Sequence, residues 1–145
     1  MSGLSISTGS IVAGPRPGLL GDVTALHGRT YATGWDFPLA FECKVSAEMA
    51  AFLARYDPAR DLVLSVADGG GRVVGSVTLD AGDPALAAGD THLRWFIVVP
   101  ELAGQGLGGR MLARVVAFAR DSGARSIHLT TFRGLEAART VYERA

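Results

Sequence analysis

The residues of this 145-residue sequence with the clearest chemical potential are four glycines within the six positions from Gly104 to Gly109. Glycine lets the backbone approach a ligand closely and adopt positive φ angles. Apolar residues recur at helical spacing behind them, which predicts that a helix begins there. The first N–H groups of a helix have no internal partner and lie at the positive end of its dipole, where phosphate binds readily. This stretch, hereafter the glycine loop, therefore predicts a phosphate cradle rather than a plain turn.

The elements that must position the glycine loop are a strand before it and a helix after it. Leu93 to Val99 is an apolar run interrupted only by Arg94, which predicts a strand buried on both faces and ended by Pro100. The helix is predicted from apolar residues that share one face: Leu107, Met111, Leu112, Val115, Val116 and Ala119. Gly123 fits the C-terminal cap of that helix.

Two families of phosphate loop match the glycine loop poorly. Gly104, Gly106 and Gly109 have the spacing of the dinucleotide fingerprint, but that fingerprint follows its strand directly and needs an acidic residue about 20 residues later. Here the four residues 100–103 intervene, and the next predicted strand ends in Thr130-Thr131-Phe132 without an acid. A Walker-type loop needs Gly-Lys-Ser/Thr, which is absent. An NAD(P)-binding oxidoreductase is therefore the less favoured alternative.

The stretch instead resembles the GNAT superfamily of acetyl-CoA-dependent N-acyltransferases. Their signature is Gln/Arg-x-x-Gly-x-Gly/Ala after a strand, a proline and a short linker. Gly106 and Gly108 supply the glycines here, whereas Ala103 stands at the Gln/Arg position, so backbone amides would be the main grip on phosphate. The segments LRWFIV, AFARDSGARSIHLTTF and LEAARTVYERA are similar to the acyltransferase domain that is fused to MarR-type regulators in some bacteria.

The resemblance implies an α/β (α+β) layered fold with a mixed, mostly antiparallel central sheet flanked by helices. The implied order is strand, two helices, three antiparallel strands, helix, strand and helix. A final two-strand hairpin is also implied, and the sequence lacks it. We therefore expect residues 1–145 to form a single domain that is truncated at its C-terminus, in which a homodimer could complete the sheet, because an unpaired edge strand tends to pair with a second chain.

The resemblance also implies acetyl-CoA as cosubstrate and an amine, on a small molecule or a protein, as acceptor. The pyrophosphate would be held by Ala103, Gly104, Gln105, Gly106, Leu107, Gly108 and Gly109. The pantetheine arm would bind to unpaired backbone of the preceding strand, at Phe96, Ile97, Val98 and Val99, where the thioester carbonyl would be polarised. A non-catalytic acyl-CoA sensor or partner-binding module is the alternative, favoured by Ala103 and the missing hairpin.

Two residues are candidates for the chemical steps. Tyr142 matches, by resemblance, the tyrosine that protonates the leaving CoA thiolate; the other interpretation is a core tyrosine with a satisfied hydroxyl. Glu42 borders the implied acceptor site and could orient an amine or deprotonate it through water; it could equally be a solvated residue at a helix N-terminus. Asp36, Asp80 and Asp90 are weaker candidates on loops.

The remaining elements are predicted from periodicity and turn residues. Strands are predicted at Ser5–Ala13, Asp61–Ala67, Arg72–Leu79 and Ser126–Phe132, the middle two forming a hairpin around Asp68–Gly71. Helices are predicted from Leu19 to about Tyr31 and at Phe41–Tyr56. A last helix is predicted from Leu135, Ala138, Val141 and Tyr142.

Composition narrows the class of protein. Lys plus Arg and Asp plus Glu both number 14, so net charge offers no attraction to nucleic acid or an anionic membrane. One cysteine, Cys43, excludes an internal disulfide and suits the cytoplasm; we expect it to be buried. His27, His92 and His128 have no ligand spacing, so no metal site is predicted. No membrane span or secretory signal is visible.

Overall fold

The computed structural model describes residues 10–35, 39–102, 104–130 and 138–143. Its helices are α1 (Leu19–Trp35), α2 (Leu39–Ala54) and α3 (Leu107–Asp121), and a 3-10 turn spans Pro100–Leu102. Its strands are β1 (Val12–Ala13), β2 (Leu62–Ala67), β3 (Val73–Asp80), β4 (Asp90–Val98), β5 (Ser126–Thr130) and β6 (Ala138–Glu143). They form one sheet in chain order, and only the pair β4–β5 is parallel. The predicted mixed, mostly antiparallel sheet is confirmed.

Helices cover both faces of the sheet. Alternate residues of strand β2 accordingly pack into two different cores. Leu62 and Leu64 of β2 pack in a large cluster with β3, β4, β5 and the inner face of α3. Val63, which lies between them, packs in a second cluster with α1 and α2. The members of that second cluster are Leu19, Val23, Met49, Phe52, Val63 and Val73. The sheet is thus the middle layer of three.

The predicted hairpin between β2 and β3 is confirmed. The Asp68 carboxylate accepts the backbone N–H groups of Gly70 at 2.9 Å and Arg72 at 3.0 Å. Gly71 has φ 85°, a conformation that glycine adopts without strain. The end of α3 also agrees with the prediction, because Gly123 follows the helix with φ 84° and Ala124 N–H donates to the Ala119 carbonyl at 2.9 Å.

The prediction of a last helix is wrong for residues 138–143, which form β6 antiparallel to β5 with Tyr142 opposite Ile127. Residues 135–137 lie outside the described part of the chain. Val141 and Tyr142 favour a strand as much as a helix, and the edge of β5 offers unpaired N–H and C=O groups for which a following segment can compete. The expectation that β5 is left at the sheet edge is therefore wrong as well, since β6 of the same chain covers it.

Two burial predictions are also wrong. The strand predicted to be buried on both faces is buried at Thr91, Leu93 and Ile97 and only partly buried between Leu93 and Ile97. Cys43 is exposed, because the inward face of α2 is set by Val45, Met49 and Phe52.

Of the predicted strand Ser5–Ala13, the described residues contain only β1, Val12–Ala13. Among the described residues, none of the helices has the length and apolarity needed to cross a membrane.

Candidate active site

The glycine loop turns the chain directly into α3. Gly104 and Gly106 have φ of 84° and 80°, in the left-handed region where a side chain would be strained. Gly106 is the N-cap of α3 and makes no side-chain capping hydrogen bond. The first helical bond runs from Arg110 N–H to the Gly106 carbonyl at 3.0 Å, so the N–H groups of Leu107, Gly108 and Gly109 precede the helical ladder.

These donors suit a phosphate group. A Cβ atom added to Gly104 or Gly109 would meet nothing within 4 Å, so the outer side of the loop is open. The nearest atom to a Cβ placed on Gly106 is Nη1 of Arg110, at 4.0 Å. A guanidinium therefore stands beside the free amides, and both add to the positive end of the helix dipole. Sequence reasoning missed Arg110, although its position four residues after Gly106 on a helix was a signal that could have shown it.

The glycine loop is fixed against the second half of β4. A Cβ atom on Gly108 would lie 3.1 Å from Cζ of Phe96, so the backbone of the loop and this ring approach each other closely. On the neighbouring strand, a Cβ atom on Gly75 would lie 3.4 Å from Leu107 and 3.7 Å from Met111. The structure thereby brings Phe96 of the predicted pantetheine strand next to Gly108 of the predicted pyrophosphate loop; Ala103 lies outside the described residues.

Strand β4 extends beyond its described pairing with β5 along this same half. The parallel ladder runs from Asp90–Ser126 to Leu93–Leu129. Beyond it β4 continues to Val98 beside β3, and no described residue of β5 pairs with it. Among the described residues, the N–H and C=O groups that point away from β3 in residues 94–98 have no strand partner, and such groups can bind an extended ligand.

A bulge lies in β4 just beyond its described pairing with β5. Ser76 pairs with Ile97 and Thr78 with Arg94, so Val77 faces two residues, Trp95 and Phe96. Trp95 has φ 51°, the only positive φ of a non-glycine residue in the described chain. For a bulky side chain this conformation costs on the order of 1–3 kcal/mol, and its neighbours must compensate for it. The bulge bends β4 within residues 94–98 and so changes the direction in which their backbone N–H and C=O groups point.

Asp80 is not a loop residue free for chemistry, as the sequence suggested, but the buried end of β3. Its carboxylate accepts hydrogen bonds from Arg55 at 2.7 and 2.8 Å and from Arg94 at 3.0 Å. Burial raises the pKa of Asp80, but hydrogen bonds from Arg55, Gly82 and Arg94 outweigh it and hold that pKa below its ordinary value. Asp80 therefore stays ionised and serves as the centre of an ion-pair network.

No described contact joins the other predicted residues to the glycine loop. Glu42 is half-buried in the first turn of α2, and a Cβ atom on Gly28 of α1 would overlap its carboxylate. Tyr142 pairs with Ile127, two residues before the β4–β5 ladder ends. Asp90 binds Arg125 at 3.0 Å and Ser126 at 2.8 Å. Asp36 lies outside the described residues. No cluster of metal-binding side chains occurs among the residues that are described.

Comparisons with known proteins agree with this geometry. The model of a family described as acetyltransferase (GNAT) matches residues 28–145. A search of curated proteins finds no match. Among solved structures, a GNAT-family acetyltransferase from Staphylococcus aureus has a TM-score of 0.64 at 11% identity, over 84% of this chain and 74% of its own.

Two further solved structures carry ligands. A GNAT-family acetyltransferase from Brucella melitensis in complex with acetyl-CoA has a TM-score of 0.60 at 21% identity, over 84% of this chain and 76% of its own. A GNAT-family N-acetyltransferase from Escherichia coli in complex with CoA has a TM-score of 0.64 at 14% identity, over 91% of this chain and 67% of its own. At these identities the likeness shows the shared fold.

Proposed function

Because the chain belongs to the acetyltransferase (GNAT) family, whose model spans residues 28–145, we propose that it transfers an acetyl group from acetyl-CoA to a primary amine. The observation that carries this proposal is the contact of the glycine loop with the half of β4 that has no partner on its β5 side among the described residues. Phosphate donors at one end and unpaired extended backbone at the other match a ligand with a pyrophosphate and an amide-containing arm.

Acetyl-CoA is the cosubstrate that this groove fits. Its pyrophosphate would lie on the N–H groups of Leu107, Gly108 and Gly109, with Arg110 beside it. Its pantetheine amides would pair with the open edge of β4 between Phe96 and Val99. Two neighbours of the same fold hold acetyl-CoA or CoA, which supports the assignment.

The reaction we propose is a direct attack without a covalent enzyme intermediate. The neutral amine would add to the thioester carbon, and the carbon–sulfur bond would then break to give an amide and the CoA thiolate. The amine loses one proton and the thiolate gains one. Backbone N–H groups of the β4 bulge would stabilise the oxyanion, so most of the acceleration would come from positioning and electrostatics.

Glu42 and Tyr142 remain proposals for the proton transfers. Glu42 would take the amine proton through water, from the α2 side of the sheet. Tyr142 would protonate the thiolate, although a thiol of pKa about 8.5 is a good leaving group that needs little help. In this role Tyr142 would act from β6, where its backbone pairs with Ile127.

The test is a panel of small amines and lysine peptides with acetyl-CoA, with released thiol as the readout. Acetyl-CoA and CoA should raise the melting temperature, NADH should not, and at least one amine should release thiol. Binding without thiol release across the panel would favour an acyl-CoA sensor instead. If NADH alone raised the melting temperature, the proposal that acetyl-CoA is the cosubstrate of this protein would be wrong. We also propose a cytoplasmic location, because an exposed free thiol such as that of Cys43 stays reduced there.

A further inference from the structure

The side chains around the β4 bulge are tied to α2 by a network that the proposed reaction leaves unused. Arg94 immediately precedes the bulge and has 14% of its side chain exposed. Its guanidinium donates to Asp80 at 3.0 Å and to Glu48 of α2 at 3.1 Å. Asp80, fully buried, is held at the same time by Arg55, the residue that follows α2. Two arginines and two carboxylates therefore join α2, the end of β3 and the middle of β4.

The same guanidinium lies over the strained residue. Cζ of Arg94 is 4.3 Å from the centroid of the Trp95 ring. The Trp95 ring also meets Phe52 of α2 edge-on, with centroids 5.9 Å apart. Arg94 and Trp95 are consecutive, yet both side chains contact α2, because the bulge turns two neighbouring residues to one face. Trp95 therefore packs between α2 and the guanidinium of Arg94. The buried carboxylate of Asp80 in turn fixes the position of that guanidinium.

We propose that Asp80 and Arg94 form a clamp that holds the β4 bulge in its strained conformation and so sets the backbone donors that polarise the thioester carbonyl. Neither side chain touches the substrate in this proposal, so both are positioning residues. A left-handed tryptophan persists only where its surroundings over-determine it. The ordered charges and the stacked ring supply that constraint. The proposal rests on the proposed function, since it concerns where acetyl-CoA presents its carbonyl.

Acetyl-CoA labelled with ¹³C at the thioester carbonyl reports on this clamp without an acceptor. In the wild-type protein the carbonyl resonance of bound acetyl-CoA should move downfield from its position in free acetyl-CoA, because hydrogen bonding polarises the carbonyl. Arg94→Gln should return the resonance most of the way to the free position. CoA affinity, measured by calorimetry, should change less than about threefold, because the phosphate donors lie on α3.

Two further variants keep the test decisive. Asp61→Asn alters another buried carboxylate, which accepts the N–H groups of Asp57 at 2.9 Å and Ala81 at 2.8 Å, and should lower stability while keeping the downfield shift. Glu48→Gln changes a site that is 39% exposed, so the variant should fold, and it should lose a smaller part of the shift.

The outcomes separate the clamp from the proposed function. A wild-type protein that does not bind acetyl-CoA would overturn the proposed function and the clamp together. A wild-type protein that binds acetyl-CoA without a downfield shift would overturn the clamp alone. The clamp is also overturned if Arg94→Gln or Glu48→Gln keeps the full shift, or if Asp61→Asn loses as much of it as Arg94→Gln does.

Discussion

At the scale of single residues, Gly106 should be essential for binding CoA. Its φ of 80° and its place before the free amides of α3 leave no room for a side chain beside a phosphate. We expect Gly106→Val to abolish CoA binding measured by calorimetry, and to lower stability by about 1–2 kcal/mol through backbone strain.

Gly123 provides the matched control for that strain. It has φ 84° at the opposite end of the same helix, and a Cβ atom there would meet nothing within 4 Å. Gly123→Val should therefore lose a similar amount of stability and retain wild-type affinity for CoA. Equal CoA affinity in the two variants would remove the glycine loop from the site.

Removing the buried hydroxyl of Thr78 should stabilise the protein. The side chain is fully buried in β3, and its Oγ1 has no hydrogen-bond partner among the described residues. Because an unpaired buried polar group costs about 1–3 kcal/mol, Thr78→Val should raise the free energy of unfolding by about 1 kcal/mol in urea titrations. Ser76→Ala on the same strand should do the opposite, since Ser76 Oγ donates to the Leu64 carbonyl at 2.9 Å.

Tyr142 should have at most a modest effect on turnover. Tyr142→Phe removes only the hydroxyl, and general acid help to a good leaving group is worth less than the usual hundredfold, so we expect kcat to fall by about three- to tenfold. KM for acetyl-CoA should stay unchanged, because the hydroxyl would act in the transition state. Wild-type kcat, measured by thiol release with the best amine of the panel, would exclude the acid role.

At the scale of elements, the positive end of α3 should account for the salt dependence of CoA binding. Arg110→Ala should weaken CoA binding by about 3- to 10-fold at low ionic strength, with a smaller loss at physiological salt because an exposed charge is screened. Arg114→Ala, one turn further along the same helix, is the control; Arg114 donates to the Ile11 carbonyl at 3.4 Å and should leave affinity unchanged. If both variants lost CoA affinity equally, the salt dependence would come from the overall positive charge of α3 rather than from Arg110.

At the scale of the whole molecule, the free energy of unfolding should fall in two stages as the solution is acidified. Burial lowers the pKa of His27, whose Nδ1 donates to the Val23 carbonyl at 2.9 Å. Below the ordinary pKa of 6.5, His27 therefore binds a proton in the unfolded chain but not in the folded protein. The free energy of unfolding accordingly declines as the pH falls below that value. The pKa of Asp80 is lowered, so its stabilisation is present above the ordinary value of 3.8 and is lost below it.

His27→Gln separates the two stages. Glutamine keeps an N–H donor for the Val23 carbonyl but takes up no proton, so urea midpoints between pH 7 and pH 5 should become flatter than in the wild-type protein. The steeper loss below pH 4 should remain, since it belongs to the carboxylates. An unchanged slope between pH 7 and pH 5 would assign the first stage to another group.

The sequence alone determined the features that depend on neighbours along the chain. The glycines at 104–109 and the helical spacing from Leu107 to Ala119 are local signals, and the structure shows a left-handed turn leading into α3. Asp68 and Gly71 predicted the β2–β3 hairpin for the same reason, because a turn and its hydrogen bonds lie within four residues. The family resemblance added the order of most elements.

Only the tertiary structure decided the features that depend on distant partners. Whether residues 138–143 form a helix or a strand was settled by the free edge of β5, which outweighs local propensity. Arg94 looked like an interruption in an apolar strand, yet its meeting with Asp80 and Glu48 requires contacts 14 and 46 residues apart. The bulge at Trp95 follows from pairing with β3 and packing on α2, and periodicity within β4 carries no record of either.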